Sequence, residues 1–121
     1  MNEICSSNIV DLCIMQGSEY VHTFQYREAD ETTVIPLTGY TARCQIRAGI
    51  DDTDTIFDGT SGTGELSING ALGEVTLTVS GAASSLWDDY EGVFDVEVID
   101  GVGIPTRIAQ GSMFLDREVT R

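Results

Sequence analysis

The chain has 121 residues, 41% of them hydrophobic and 7% aromatic, which is the make-up of a single globular domain with its own core and not of a disordered segment. Twenty Asp and Glu stand against six Arg and no Lys, a net charge of −14, so the surface repels phosphate backbones and anionic lipid headgroups and makes nucleic acid and membranes poor partners. No stretch reaches the roughly 20 apolar residues of a membrane-crossing helix, and three cysteines without a Cys-x-x-Cys or Cys/His cluster argue against both a secreted disulfide framework and a zinc site.

Residues 1–8 read as a flexible arm, polar and without periodicity, and carry no basic n-region or apolar run of signal-peptide length, which predicts synthesis in a cytoplasm. Asn8 to Met15 predicts the first strand, with Val10, Leu12 and Ile14 toward the core and Cys13 outside with Asp11. Gln16-Gly-Ser18 is a turn. Glu19 to Arg27 predicts a second strand, in which Tyr20, His22, Phe24 and Tyr26 alternate with Val21, Thr23 and Gln25. Both sets are partly apolar, as in a strand covered at least in part on both sides.

Pro36 bars a central ladder position. Tyr40 to Arg47 then alternates cleanly: Tyr40, Ala42, Cys44 and Ile46 face in, while Arg43 and Arg47, four residues apart, share the outer face. Cys44 is a small buried hydrophobe by this phase. Two short strands follow, Thr55 to Asp58 and Gly64 to Ile68. Asn69-Gly70 supplies hairpin chemistry, and Val75, Leu77 and Val79 point inward from Glu74 to Val79. Ser80 caps the one helix candidate, near 80–87, whose apolar side is Ala82, Ala83 and Leu86 and which plugs one end of the fold with Trp87. Tyr90 stands where a tyrosine corner would sit.

The pattern is clearest from Tyr90 to Asp100, where Phe94, Val96 and Val98 alternate with Asp95 and Glu97. Asp100-Gly-Val-Gly-Ile104 is a turn, and Thr106 to Leu115 is a return strand. The whole predicts an all-β, antiparallel sandwich of about eight short strands, Ig-like or Greek-key in type, spanning 9–115 as one domain, with a charged tail over 116–121. A small barrel is the alternative.

Candidates for chemistry are few. His22 is the sole histidine and sits mid-strand among aromatics, as a core or interface residue does, and no nucleophile elbow or cysteine-protease context surrounds a Ser or Cys. The expectation is no enzyme and no cofactor. Asp51, Asp52 and Asp54 form an acidic loop, but counting from Asp52 the sixth and twelfth positions are Phe57 and Thr63, not the Gly and Glu of a calcium loop. Asp88, Asp89 and Glu91 make a second acidic cluster. A solvated turn is the plainer reading of each, and no metal site is expected. Gly62-Thr-Gly64 and Gly101-Val-Gly103 open no helix and are not phosphate cradles. Trp87 and Tyr90 are better placed in a core than on a sugar platform.

Several segments carry a resemblance: Gln16-Gly-Ser18; Ile35-Pro-Leu-Thr-Gly-Tyr-Thr-Ala-Arg-Cys-Gln-Ile-Arg47; Gly73-Glu-Val-Thr-Leu-Thr-Val-Ser80; Tyr90-Glu-Gly-Val-Phe-Asp-Val-Glu-Val98; and Arg107-Ile-Ala-Gln-Gly-Ser-Met-Phe-Leu-Asp-Arg-Glu-Val-Thr-Arg121. Together they resemble the tailed-bacteriophage virion β-sandwich domains of tail-fibre and baseplate-associated proteins, including the N-terminal domains of upper-baseplate proteins. The resemblance implies a virion component made in the host bacterial cytoplasm. It would be an adaptor, attachment or decoration subunit of tail, baseplate, collar or capsid surface that holds to other virion proteins and to copies of itself. The sequence here stops where relatives often continue into a fibre or receptor-binding region, which favours a joint over an adhesin.

The interface candidates are then Arg43 and Arg47 on their strand, Arg117 and Arg121 in the tail, and Cys5 and Cys13, either of which could join subunits by a disulfide in oxidising surroundings. The competing reading is a free-standing small-ligand or glycan-binding sandwich, calcium-assisted through the Asp51–Asp54 loop.

Overall fold

The computed structural model describes residues 8–28 and 32–120. Two sheets stack face to face. The larger contains β1 (Asn8–Ile9), β2 (Leu12–Met15), β4 (Thr41–Arg47), β5 (Phe57–Thr60), β8 (Glu91–Ile99) and β9 (Pro105–Asp116). Its order is β1-β9-β8-β4-β5, with β2 also paired to β9. The smaller, in the order β3-β7-β6, contains β3 (Tyr20–Gln25), β6 (Leu66–Asn69) and β7 (Glu74–Val79). Two separate sheets make a sandwich and not a barrel.

Alternation explains the core. Leu12 and Ile14 on β2, Ala42, Cys44 and Ile46 on β4, Val75, Leu77 and Val79 on β7, and Phe94, Val96 and Val98 on β8 are all buried between the sheets. The β8–β9 hairpin forms as its pattern predicts. The Asp100 carboxylate accepts the amides of Val102 (3.0 Å) and Ile104 (2.9 Å), which fixes its turn.

Five features depart from the sequence expectations, each for a physical reason. The first strand is parallel to β9, not antiparallel, because it is laid against the last strand of the chain with no hairpin linking the two. It also breaks between β1 and β2, where Val10 donates to Gln110 (2.9 Å) and its carbonyl crowds Gly111. The fifth strand starts at Phe57, not Thr55. Its register pairs Phe57 with Ile46, and the Phe57 ring lies against the bare backbone of Gly59.

On β3 the outward set is open: Val21 is 54% exposed and Thr23 is exposed, so cover is one-sided there. The helix α1 (Gly81–Ser84) is a single turn, too short to bury the apolar side it was assigned, and Leu86 is 81% exposed. Its buried residue is Ser84, whose hydroxyl accepts the Gly17 amide at 2.9 Å. The cap itself is as expected, Ser80 Oγ accepting from the Ala83 amide at 3.1 Å, and Trp87 does close that end of the core. Tyr90 is neither core nor corner. It is 69% exposed, just before β8 where the opposite sheet no longer reaches, and Arg117 covers its ring at 5.4 Å.

Arg117 and Glu118, just after β9, are fastened, unlike a free tail. Gln16 is buried and bonds three ways: its amide nitrogen donates to the Trp87 carbonyl (2.9 Å), its side-chain oxygen accepts the Glu118 amide (3.0 Å), and its backbone N–H donates to Asp116 (2.9 Å). One polar side chain thus ties the end of β2 to the helix end and to the C-terminal segment.

Candidate functional site

The inner faces of the sandwich are filled with side chains, so chemistry is confined to the outside. On the outer face of the larger sheet the register sets polar residues in rows. One row runs Thr60, Arg43, Glu97, Arg107, and the next runs Asp58, Gln45, Asp95, Gln110, Ile9. A third places Arg47, Val93 and Ser112 together.

Arg43 bonds Glu97 at 2.8 Å, and Arg107 lies 3.8 Å from Asp95 while donating to Gln110 at 2.9 Å. Arg47 donates to the Asp52 carbonyl (2.8 Å) and to Gln45 (2.9 Å), and has no carboxylate partner among the described residues. Half of the chain's six arginines therefore share one face of a protein whose net charge is −14.

A shallow groove of about 350 Å³ crosses this face. Ile9 (80% exposed) and Ile50 (84% exposed) form its apolar walls, and Arg47, Val93, Asp95 and Arg107 lie along it. Asp95 is the strained member. Burial raises its carboxyl above the usual carboxylate range and Glu97 adds to that, while Arg107, Arg43 and Arg47 pull the other way. An incoming cation or hydrogen-bond donor would relieve it. The groove offers guanidinium groups, one poorly satisfied carboxylate and two exposed branched side chains. Such a mix of charged, hydrogen-bonding and apolar groups is chemically able to bind a surface that carries the same kinds of group.

Of the interface candidates, Arg43 and Arg47 lie together on this face as their spacing predicts. Cys13 is exposed on β2, in register with Phe114, near the same edge. Arg117 lies elsewhere, stacked on Tyr90 at the end of the sandwich. Cys5 and Arg121 fall outside the described residues.

Sequence reasoning missed Arg107. Strict alternation back from Gln110 would turn it inward, but a β-bulge opposite Val96 and Glu97 keeps both Ile108 and Ala109 buried and reverses the phase. Two buried apolar residues in a row, Ile108-Ala109, were the available signal. Ile9 and Ile50 are missed because loop and strand-end residues carry no pattern.

Asp52 and Asp54 meet Asp88 and Asp89 around a second hollow, of about 460 Å³, beside Ile56, Leu86 and Trp87. Among the described residues no three His, Cys, Asp or Glu side chains stand close enough to hold a metal ion. His22 lies between the rings of Tyr20 (6.4 Å) and Phe24 (4.6 Å), and burial lowers its pKa.

The Cys44 thiol is buried and its pKa is pushed up to about 12 by burial, with Asp95 and Asp58 adding to the effect. In a Cys5→Ser background, Cys13 is therefore expected to react with a maleimide in the native protein, and Cys44 only after denaturant is added. Mass spectrometry of the labelled protein reads the result, and equal rates for the two thiols would contradict the burial of β4.

No family model matches the chain, and no curated protein matches it.

Proposed function

We propose that this protein is a non-enzymatic structural component of a tailed-bacteriophage virion. It would serve as an adaptor, attachment or decoration subunit of the tail, baseplate, collar or capsid surface, and would work through the outer face of the larger sheet. The observation that carries the reading is the grouping of Arg43, Arg47 and Arg107 on one sheet face, the latter two along an apolar-walled groove, on an otherwise acidic molecule whose interior is packed. Guanidinium groups beside exposed Ile side chains suit a partner surface bearing both carboxylates and apolar groups. The segments set out above that resemble virion β-sandwich domains supply the biological setting. The partners are then other virion proteins and further copies of this chain, in particles assembled in a bacterial cytoplasm. Cys13 and Cys5 are the thiols that could lock subunits once particles meet oxidising surroundings.

Reversing two charges tests the reading. In particles assembled from a genome encoding Arg43→Glu and Arg107→Glu, mass spectrometry should find the protein depleted about tenfold or more, since like charges set opposite each other at an interface cost several kcal/mol. The isolated variant should still fold but melt below the parent, because exposed ion pairs such as Arg43–Glu97 contribute only about 0.2–1 kcal/mol and the like charges then set opposite Glu97 add a cost of similar size. Undiminished incorporation, or absence of the parent protein from purified particles, would defeat the proposal.

A further inference from the structure

Sheet edges invite pairing with other chains, and three of the described edges are partly blocked by the chain itself. At β5 the Thr60 amide, turned away from β4, is taken by the Glu65 carboxylate at 3.2 Å. At β2 the Met15 carbonyl accepts the Ser18 amide (3.1 Å) and the Tyr20 hydroxyl meets the Cys13 backbone. β6 is four residues long, and beside its end Leu37 donates to the Gly70 carbonyl at 2.8 Å.

β3 is different. It ends the order β3-β7-β6, and residues 20–26, Tyr-Val-His-Thr-Phe-Gln-Tyr, carry no acidic or basic side chain except His22, in a chain with 20 Asp and Glu. Tyr26 donates to the Gly73 carbonyl on the β7 side at 2.8 Å, so alternation turns the N–H and C=O of Val21 and Thr23 toward the open edge. The 33–35 segment does not cover that edge. Ile35 donates to the Tyr26 carbonyl at 2.9 Å, on the same side as β7.

We infer that β3 is a self-pairing edge: two copies of the chain join antiparallel across a two-fold axis at Thr23, fusing their smaller sheets into one six-stranded sheet. The sequence is complementary to itself in this register and in no neighbouring one. Thr23 faces Thr23 of the second copy through outward-turned backbone groups. Glu19 then falls opposite Arg27 of the second copy, and Arg27 opposite its Glu19, an ion pair at each end. Neither residue has an ion-pair partner among the described residues. On the inner side, half-buried Tyr20 and His22 meet Tyr26 and Phe24 of the second copy, so aromatic edges now open to water become covered. Sliding by one pairing step leaves each Arg27 opposite Val21 or beyond the pair, and the ion pairs are lost. The partner of this edge is thus a second copy of the chain. The inference does not depend on the virion reading, because it is measured on the isolated protein.

Sedimentation of the purified chain at about physiological salt, where screening acts over roughly 8 Å, should show a dimer. Glu19→Arg alone and Arg27→Glu alone set like charges opposite and should each weaken the dimer about tenfold or more. The double variant Glu19→Arg/Arg27→Glu restores both pairs and should restore the dimer. Thr23→Pro removes an amide that bonds nothing on β7 and should give a folded monomer. Arg43→Glu/Arg107→Glu should remain dimeric, which separates this edge from the docking face. A monomeric parent, or a dimer indifferent to the single reversals, would overturn the inference. If the proline variant fails to fold, the charge-swap series decides alone.

Discussion

Truncating Trp87 to alanine is expected to lower the unfolding free energy by about 3–5 kcal/mol, the range for a large aromatic removed from a core. Trp87 follows the one-turn helix, is buried, and sets its ring edge-on to Phe57 with centroids 6.1 Å apart at 68°. Its surroundings cannot collapse onto the space it would leave. The Trp87 amide donates to Ser84 at 3.0 Å and its carbonyl holds the Gln16 side chain at 2.9 Å, so the backbone is pinned on both sides. Urea unfolding should show a lower midpoint with unchanged slope, and the thermal midpoint should fall by about 10 °C or more. Trp87→Phe, which keeps the ring contact, should recover much of the loss. A fall of less than about 1 kcal/mol for alanine would mean that this end of the sandwich lies outside the cooperative core.

Placing a side chain on Gly111 is the second severe change. A Cβ there would sit inside the van der Waals sphere of the Val10 carbonyl oxygen, with the Val10 carbonyl carbon and amide nitrogen also in contact, and backbone atoms have no rotamer by which to move aside. Gly111→Ala must therefore push β1 away from β9 or bend β9 at its centre, at an expected cost of about 3 kcal/mol or more, as for overpacking combined with broken ladder bonds. Hydrogen exchange should show early loss of protection at the Val10 amide, which bonds Gln110 at 2.9 Å. Ile9 would leave its place with β1, so the groove on the larger sheet loses a wall, and on the proposed function incorporation into particles should fall by more than the loss of stability explains. Gly101→Ala is the control. Nothing stands within 4 Å of a Cβ there, and the variant should melt as the parent does.

How much of this was legible depended on distance along the chain. Alternation within a strand reports its own inside and outside, and it placed Cys44, Phe94, Val96, Val98, Arg43 and Arg47 correctly. It does not report which strands become neighbours. The parallel pairing of Leu12 with Met113 is a contact across the length of the chain, and no hairpin dipeptide announces it. Phase fails at irregularities too. The bulge that buries both Ile108 and Ala109 turned Arg107 outward, and with it went one of the two arginines that line the groove. Tyr90 and Leu86 were misplaced for another reason: each is apolar at a phase that would be inward, but each lies where the opposing sheet has ended and there is nothing left to pack against. Gln16 looked like ordinary turn punctuation. Its three partners come from three distant segments, so its importance exists only in the folded molecule.

Because the strand spanning Pro105–Asp116 lies between Glu91–Ile99 on one side and the two N-terminal strands on the other, those two strands are made before the rest of the larger sheet but paired after it. On the ribosome, the N-terminal strands must wait without a pairing partner until translation has delivered residue 116 and the exit tunnel has released it. The early strands therefore stay exposed to misassembly longer than the rest of the larger sheet, which cannot close before residues 105–116 are free to pair.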